Sequence, residues 1–423
     1  MSRAFGAATL DPEVVVAHAP ESGWPLGRAL SDYVLGDVRA VLPDRVLDRA
    51  RIVVEGGRIT AVEPHPGGFR ADLDGRGMLA LPGLVDCHSD ALEIERLPRP
   101  TAPLPWDFAI ASFEAKLRAA GVTTIFHGAG FRTKQVRGGE GPIEHALHLC
   151  EVVDAQPDTA VDHRVLHRLD LYTLEGKDAL AARLDALAAQ ASAHAGGEPA
   201  APPPLVSHED HTPGRGQYAD PEYLVAYMMG ADGRTRAEAE ALVEEMRREA
   251  EEAEPVRREI LDWVTRASLE GRIRLLGHDP DSAEAIDELA TRGVQVAEFP
   301  TTLEAAERAT ELGMLTVAGA PNLMRGGSHS GNVSAVELAS RGLLDALASD
   351  YMPSALLGAT RDAARLVGLP AAVGFVTSGP ARVAGLEDRG ALVPGKRADL
   401  VIVDDSRGPW LRPVETLTAV STR

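Results

Sequence analysis

The stretch Leu84-Val85-Asp86-Cys87-His88-Ser89-Asp90 runs from apolar residues into a cluster of side chains that can hold a metal ion. It follows Pro82-Gly83, a turn signal. Side chains alternate faces along a strand, so His88 and Asp90 are expected to point one way and Cys87 and Ser89 the other. An imidazole nitrogen and a carboxylate oxygen so placed at a strand end can share one divalent cation. Hydrolysis is the chemistry such an ion serves, because it lowers the pKa of a bound water from about 16 toward about 7.

His and acidic residues recur after other strand-like runs. His127 ends one, Arg168 and Asp170 close another, and His208-Glu209-Asp210-His211 follow a third. Gly277-His278-Asp279, Glu298 and Ser349-Asp350 end three more. One His after a strand is more often a hydrogen-bonded loop residue than a ligand. Six or seven such positions together point to ligands that converge, provided the strands themselves share one rim.

The intervening sequence supplies such strands. Candidates are 84–90, 122–127, 165–171, 205–208, 273–278, 294–299, 315–318 and 346–350. Helical patterns at 108–120, 179–193, 236–254, 257–270, 283–291 and 303–312 separate them. Thr235 with Glu238 forms a capping-box start for the third helix. Eight strands alternating with helices give the rhythm of a (β/α)8 TIM-type barrel, whose functional groups gather at the C-terminal strand ends. An open doubly wound sheet is the competitor, and the first strand lacks the Gly-x-Gly-x-x-Gly turn that would favour it.

The two ends read differently. Residues 1–32 form an irregular extension. Residues 33–80 and 386–423 are β-rich, with Gly56-Gly57 as a hairpin signal between alternating runs. They are expected to build one small β-sandwich domain beside a barrel spanning 81–385. The net charge of −20 disfavours nucleic acid and anionic membrane as partners. No long apolar run or secretory signal is read, and two cysteines fit a reducing cytoplasm. A small anionic substrate remains compatible if local cations offset the global field.

With these residues in view, the chain resembles the amidohydrolase superfamily. Pro82-Gly83-Leu84-Val85-Asp86-Cys87-His88 and Gly395-Lys396-Arg397-Ala398-Asp399-Leu400 carry the broad likeness. A narrower likeness is to the PhnM-type family, the α-D-ribose 1-methylphosphonate 5-triphosphate diphosphatases. It rests on His88-Ser89-Asp90, Asp210-His211-Thr212-Pro213-Gly214-Arg215-Gly216-Gln217-Tyr218 and Ala297-Glu298-Phe299-Pro300-Thr301-Thr302. Gly319-Ala320-Pro321-Asn322, Arg325-Gly326-Gly327-Ser328-His329-Ser330-Gly331-Asn332 and Ser349-Asp350-Tyr351-Met352-Pro353 complete it. The likeness spans roughly residues 33–405.

That resemblance implies metal ligands at His88, Asp90, His211, His278 and Asp350, with Asp170 or its rival Glu298 as a bridging carboxylate. It implies two divalent ions, with Zn, Mn and Mg all compatible, and Asp350 as general base. Counting strands puts His211 and His278 one strand earlier than is common in the superfamily. Phosphate would be held by Arg168, Arg215, Arg325, Ser328 and His329, since the Arg fork binds two oxygens and glycines let backbone N–H groups approach an anion. Arg99 also matches but sits in a loop-like segment. The implied reaction hydrolyses the triphosphate of a phosphorylated sugar in the cytoplasm, with a homo-oligomer and association with other phosphonate-degradation proteins left open. The alternatives are an amide or cyclic-imide hydrolase of the same superfamily and a non-catalytic scaffold.

Overall fold

The computed structural model describes residues 31–419 other than 100, 134–140, 157–159, 194–200, 211, 232, 329 and 330. The irregular extension expected over 1–32 therefore lies almost wholly outside the described residues.

Strands from both ends of the chain join in one seven-stranded sheet. β1 (Tyr33–Val41), β2 (Val46–Glu55), β3 (Arg58–Pro64), β4 (Leu73–Asp74) and β5 (Leu79–Pro82) come first. Gly56 and Gly57 both take positive φ, 56° and 71°, and close the β2–β3 hairpin. Two positive φ values at the turn match the twist of the flanking strands.

The second sheet is parallel and eight-stranded, in simple sequence order. Its members are β6 (Leu84–Ser89), β7 (Val122–Phe131), β8 (Asp162–Asp170) and β9 (Leu205–Glu209). β10 (Arg274–His278), β11 (Val296–Glu298), β12 (Leu315–Gly319) and β13 (Ala346–Ala348) complete it. The chain then returns to the first sheet through β14 (Leu400–Asp404), antiparallel to β5, and β15 (Arg412–Leu417). All eight barrel strands fall where the sequence places them. The strand count therefore stands, and His278 does end the fifth.

The ring closes at the rim. Asp350 N–H donates to the His88 carbonyl at 3.0 Å and Asp90 N–H donates to the Asp350 carbonyl at 2.6 Å. This parallel bridge joins Ser89, at the end of β6, to Asp350, two residues after β13. Closure thus sets three of the anticipated ligands side by side.

Val85, Cys87, Phe126, Leu166, Leu276, Val296 and Val317 fill the barrel interior. A larger apolar layer packs the outer strand faces against the helices. Cys87 departs from the expected alternation. Asp86 pairs with Ile125 and Ser89 with His127, so β6 carries an extra residue opposite β7. Such a bulge lets two successive residues face one side. Cys87 packs into the interior below the site, His88 stands at its mouth, and Ser89 turns outward with Asp86.

Helix Arg236–Glu252 begins with the expected capping box between Thr235 and Glu238. With helix Pro221–Ala231 it shares a small apolar cluster of its own, around Leu224, Val225, Met228 and Val243. Among the described residues no helix is long and apolar enough to cross a membrane.

Candidate metal centre and active site

His88 stands next to last on β6 and His278 ends β10; His88 is buried and the His278 side chain is 6% exposed. Their rings lie 5.8 Å apart in a stacked arrangement. Glu298, ending β11 and 1% exposed, sits between them. Its Oε1 is 2.8 Å from His88 Nδ1 and its Oε2 is 2.8 Å from His278 Nδ1. Ser207 Oγ, from β9, donates to Oε2 at 2.5 Å. One carboxylate thus fixes two imidazoles from opposite parts of the ring.

A second group shares His88. Donor atoms of His88, Asp90 and Asp350 lie within 4.8 Å of one another, as do those of His88, His278 and Glu298. Nitrogen and carboxylate oxygen are the donors that Zn and Mn accept, so the residues fit the ion or ions the sequence implies. Neutral imidazole supplies the lone pair and the carboxylates offset the charge.

The electrostatics are those of a clamp waiting for a cation. Burial alone would lower both His pKa values, but carboxylates override it. Glu298 holds His88 above its ordinary value, and Asp279 and Glu298 raise His278 to about 10. Burial opposes ionisation of Glu298, yet the two imidazoles and their hydrogen bonds keep its carboxyl well below the usual range. Burial raises the Asp350 carboxyl, the direction that suits a proton acceptor. Burial also lifts Asp279 to about 6.

Three non-glycine residues at this mouth have left-handed backbone: Asp279 (φ 52°), Phe299 (φ 55°) and Asp350 (φ 60°). Asp279 and Phe299 immediately follow barrel strands, and Asp350 stands two residues after β13. A side chain such as Phe pays a steric cost there, and strained positions of this kind cluster at functional sites.

The other anticipated residues divide. Arg168, on β8, is inserted between Asp90 and Glu209 and hydrogen-bonds both. Its guanidinium positions a candidate ligand rather than standing open to phosphate. Those two carboxylates override the burial penalty and raise its pKa further, while Arg168 in turn keeps Asp90 ionised. Asp170 belongs to neither donor group and instead accepts from Tyr172 N–H at 3.0 Å. Arg215 reaches Asp210 at 3.1 Å and is half-exposed. Arg325 donates to the Tyr351 hydroxyl at 2.7 Å, and with Ser328 it lines a cavity of about 280 Å³ that also contains His88, His278 and Asp350. Arg99 is an exposed loop residue. His211 and His329 lie outside the described residues.

Sequence reading missed Ser207, although a hydroxyl two residues before Glu209 on a short apolar strand was a usable signal. It also missed the pair behind the site. Asp86, fully buried, accepts from Ser349 N–H at 3.0 Å and from Ser349 Oγ at 2.5 Å. No local pattern announces a contact between residues so far apart in the chain.

Comparison with known proteins places this geometry. The model of the amidohydrolase family matches residues 337–419. The α-D-ribose 1-methylphosphonate 5-triphosphate diphosphatase of Escherichia coli is 35% identical over 373 residues, covering 87% of this chain and 94% of that protein. The chain belongs to the amidohydrolase family. Within it, an imidazolonepropionase of Rubrobacter xylanophilus is 38% identical over a short stretch, 20% of each chain. Solved amidohydrolase-type folds also superpose. The 5-methylcytosine deaminase of Klebsiella pneumoniae does so with TM-score 0.58 at 14% identity, covering 92% of this chain and 96% of that one. The N-acetyl-D-glucosamine-6-phosphate deacetylase of Mycobacterium smegmatis gives TM-score 0.58 at 13% identity, covering 92% and 99%. At such identity these two speak for the fold alone. His278 ends the fifth barrel strand and Glu298 the sixth, opposite each other in register.

Proposed function

We propose that this chain hydrolyses the 5-triphosphate of α-D-ribose 1-methylphosphonate 5-triphosphate, releasing pyrophosphate and leaving the 5-phosphate. The observation that carries the reading is the convergence of His88, Asp90, His278, Glu298 and Asp350 at one barrel mouth. It occurs in a chain 35% identical, over nearly its whole length, to a protein with that activity.

His88, His278, Asp90 and Asp350 would hold the divalent ions, with Glu298 in place of Asp170 as the carboxylate between the imidazoles. When bound, such ions acidify water and neutralise charge on phosphoryl oxygens. Asp350 orients the attacking water and accepts its proton. The water oxygen forms a bond to the phosphorus nearest the ribose, the bond from that phosphorus to the bridging oxygen breaks, and pyrophosphate leaves with the electron pair. Arg325 and Ser328 donate to the polyphosphate oxygens from the wall of the same cavity. Arg168 keeps Asp90 ionised and aimed at the centre.

Phosphorus NMR of the purified protein with a ribose 5-triphosphate, with and without added divalent ion, tests the reading. Pyrophosphate release that requires the ion is expected. Release of ammonia or a carboxylate from amides or cyclic imides, without phosphate chemistry, would replace the reading with the amide-hydrolase alternative. A protein that binds no ion and turns over nothing would favour a scaffold.

A further inference from the structure

A second chamber, of about 660 Å³, opens beside the metal-type site, and Asp90 lines both. Its floor is β7. Gly128 and Gly130 share a strand face, and each leaves room that a Cβ would fill. At Gly128 an added Cβ would meet Asp90 Oδ1 at 2.4 Å, and at Gly130 it would meet Arg132 Nε at 3.2 Å. Arg132, which lines the chamber, therefore lies over the bare Gly130. Among the described residues its side chain makes no hydrogen bond or ion pair, and its Nε is buried without a partner. Most other arginines around the site are matched to carboxylates.

The chamber holds a second guanidinium. Arg96, 6% exposed, lies over the Trp106 ring with its carbon 4.5 Å from the ring centre. Stacking of this kind fixes the plane of the fork. The carboxylates nearby are largely answered: Arg168 takes Asp90 and Glu209, and His145 Nε2 lies 3.3 Å from Glu93. Asp170, which accepts from Tyr172 N–H, and Glu249 also line the walls, where carboxylates suit sugar hydroxyls.

We infer that this chamber is a binding site for the second anionic end of the substrate, a phosphonate or phosphate ester on the anomeric carbon, with Arg132 as its specificity-determining cation. The inference rests on the proposed function. With the triphosphate at the Arg325 side, a ribose spanning Asp90 delivers its C1 substituent into this chamber. A half-buried guanidinium whose Nε donor is buried and unmet gains a charge-assisted hydrogen bond only when an anion arrives.

The test compares ribose 1-methylphosphonate 5-triphosphate with plain ribose 5-triphosphate, which carries a hydroxyl at C1, in the wild type, Arg132→Gln and Arg132→Lys. The wild type should favour the phosphonate-bearing substrate in KM. Arg132→Gln should shrink that preference by about 10- to 100-fold, and Arg132→Lys should restore part of it. Calorimetric titration with ribose 1-methylphosphonate, which lacks the triphosphate, should show the same ranking without turnover. An unchanged preference and unchanged binding in Arg132→Gln, with the wild type active on both triphosphates, would overturn the chamber assignment alone. A wild type inactive on both would overturn the proposed function along with it.

Discussion

Glu298 is the residue with the most chemistry at stake, because one side chain sets the proton positions of two imidazoles. In the metal-free protein His278 is raised to about 10, so its contribution is fully present below the ordinary imidazole value and is lost as pH climbs through about 10. Glu298 is depressed, so its contribution is present above the ordinary glutamate value and is lost as pH falls through the lowered one. Over the neutral range His278 holds a proton that a cation must displace. Divalent-ion affinity should therefore rise with pH, and binding should release protons, which calorimetry in buffers of different ionisation enthalpy measures. Glu298→Gln puts an amide donor against one imidazole and should cost about 10- to 100-fold in metal affinity, with less proton release. An unaltered affinity would remove Glu298 from the site. Asp350→Asn should lower kcat by about 10²- to 10⁴-fold with metal content measured alongside. Near-normal turnover would assign the proton to another group. At this scale the strand-end residues were legible in the sequence, since His88, Asp90, His278 and Asp350 needed only alternation and position. It hid the choice between Asp170 and Glu298, which depends on how far each strand rises around the ring. It also hid the pairing of Arg168, because an arginine beside an acid reads the same whether it faces phosphate or a carboxylate.

Elements position these groups through two devices at the rim. The first is the β6 bulge, which turns His88 inward one residue after Cys87. The second is the closure of the ring, where Asp86 and Ser349 tie β6 to β13 on the outer face. Removing the Asp86 carboxylate would leave the buried Ser349 N–H without its acceptor and the Ser349 hydroxyl with only Ser89 Oγ, at 3.2 Å. Each such orphan costs about 1–3 kcal/mol. Asp86→Ala should therefore lower unfolding free energy by about 2–5 kcal/mol in urea titration. A loss within experimental error would mean that backbone bridging at Asp350 closes the ring unaided. The strands themselves were legible, as short apolar runs ending in polar residues. Helices Pro142–Asp154 and Ala355–Val367 were not singled out, though each buries one face against the barrel. Their apolar positions are mixed with His145, His148 and Thr360, which blurs the helical period that periodicity reading needs.

Over the whole molecule, charge opposes the proposed substrate while the site attracts it. The chain has 63 acidic and 43 basic residues, a net −20, and the ligand is a polyanion. Long-range repulsion from exposed carboxylates is screened over about 8 Å at physiological ionic strength, whereas attraction inside a buried, cation-loaded mouth is screened much less. Salt should therefore weaken the unfavourable contribution first. At fixed free divalent ion, kcat/KM should rise by a few fold between about 10 mM and about 150 mM monovalent salt, then fall as the phosphate contacts themselves are screened. Most steered encounters with anions behave in the opposite way, falling from the lowest salt upward. A monotonic fall here would mean that the field at the barrel mouth is already positive, and that Arg132, Arg96 and Arg325 with the bound ions outweigh the acidic surface well beyond the cavity.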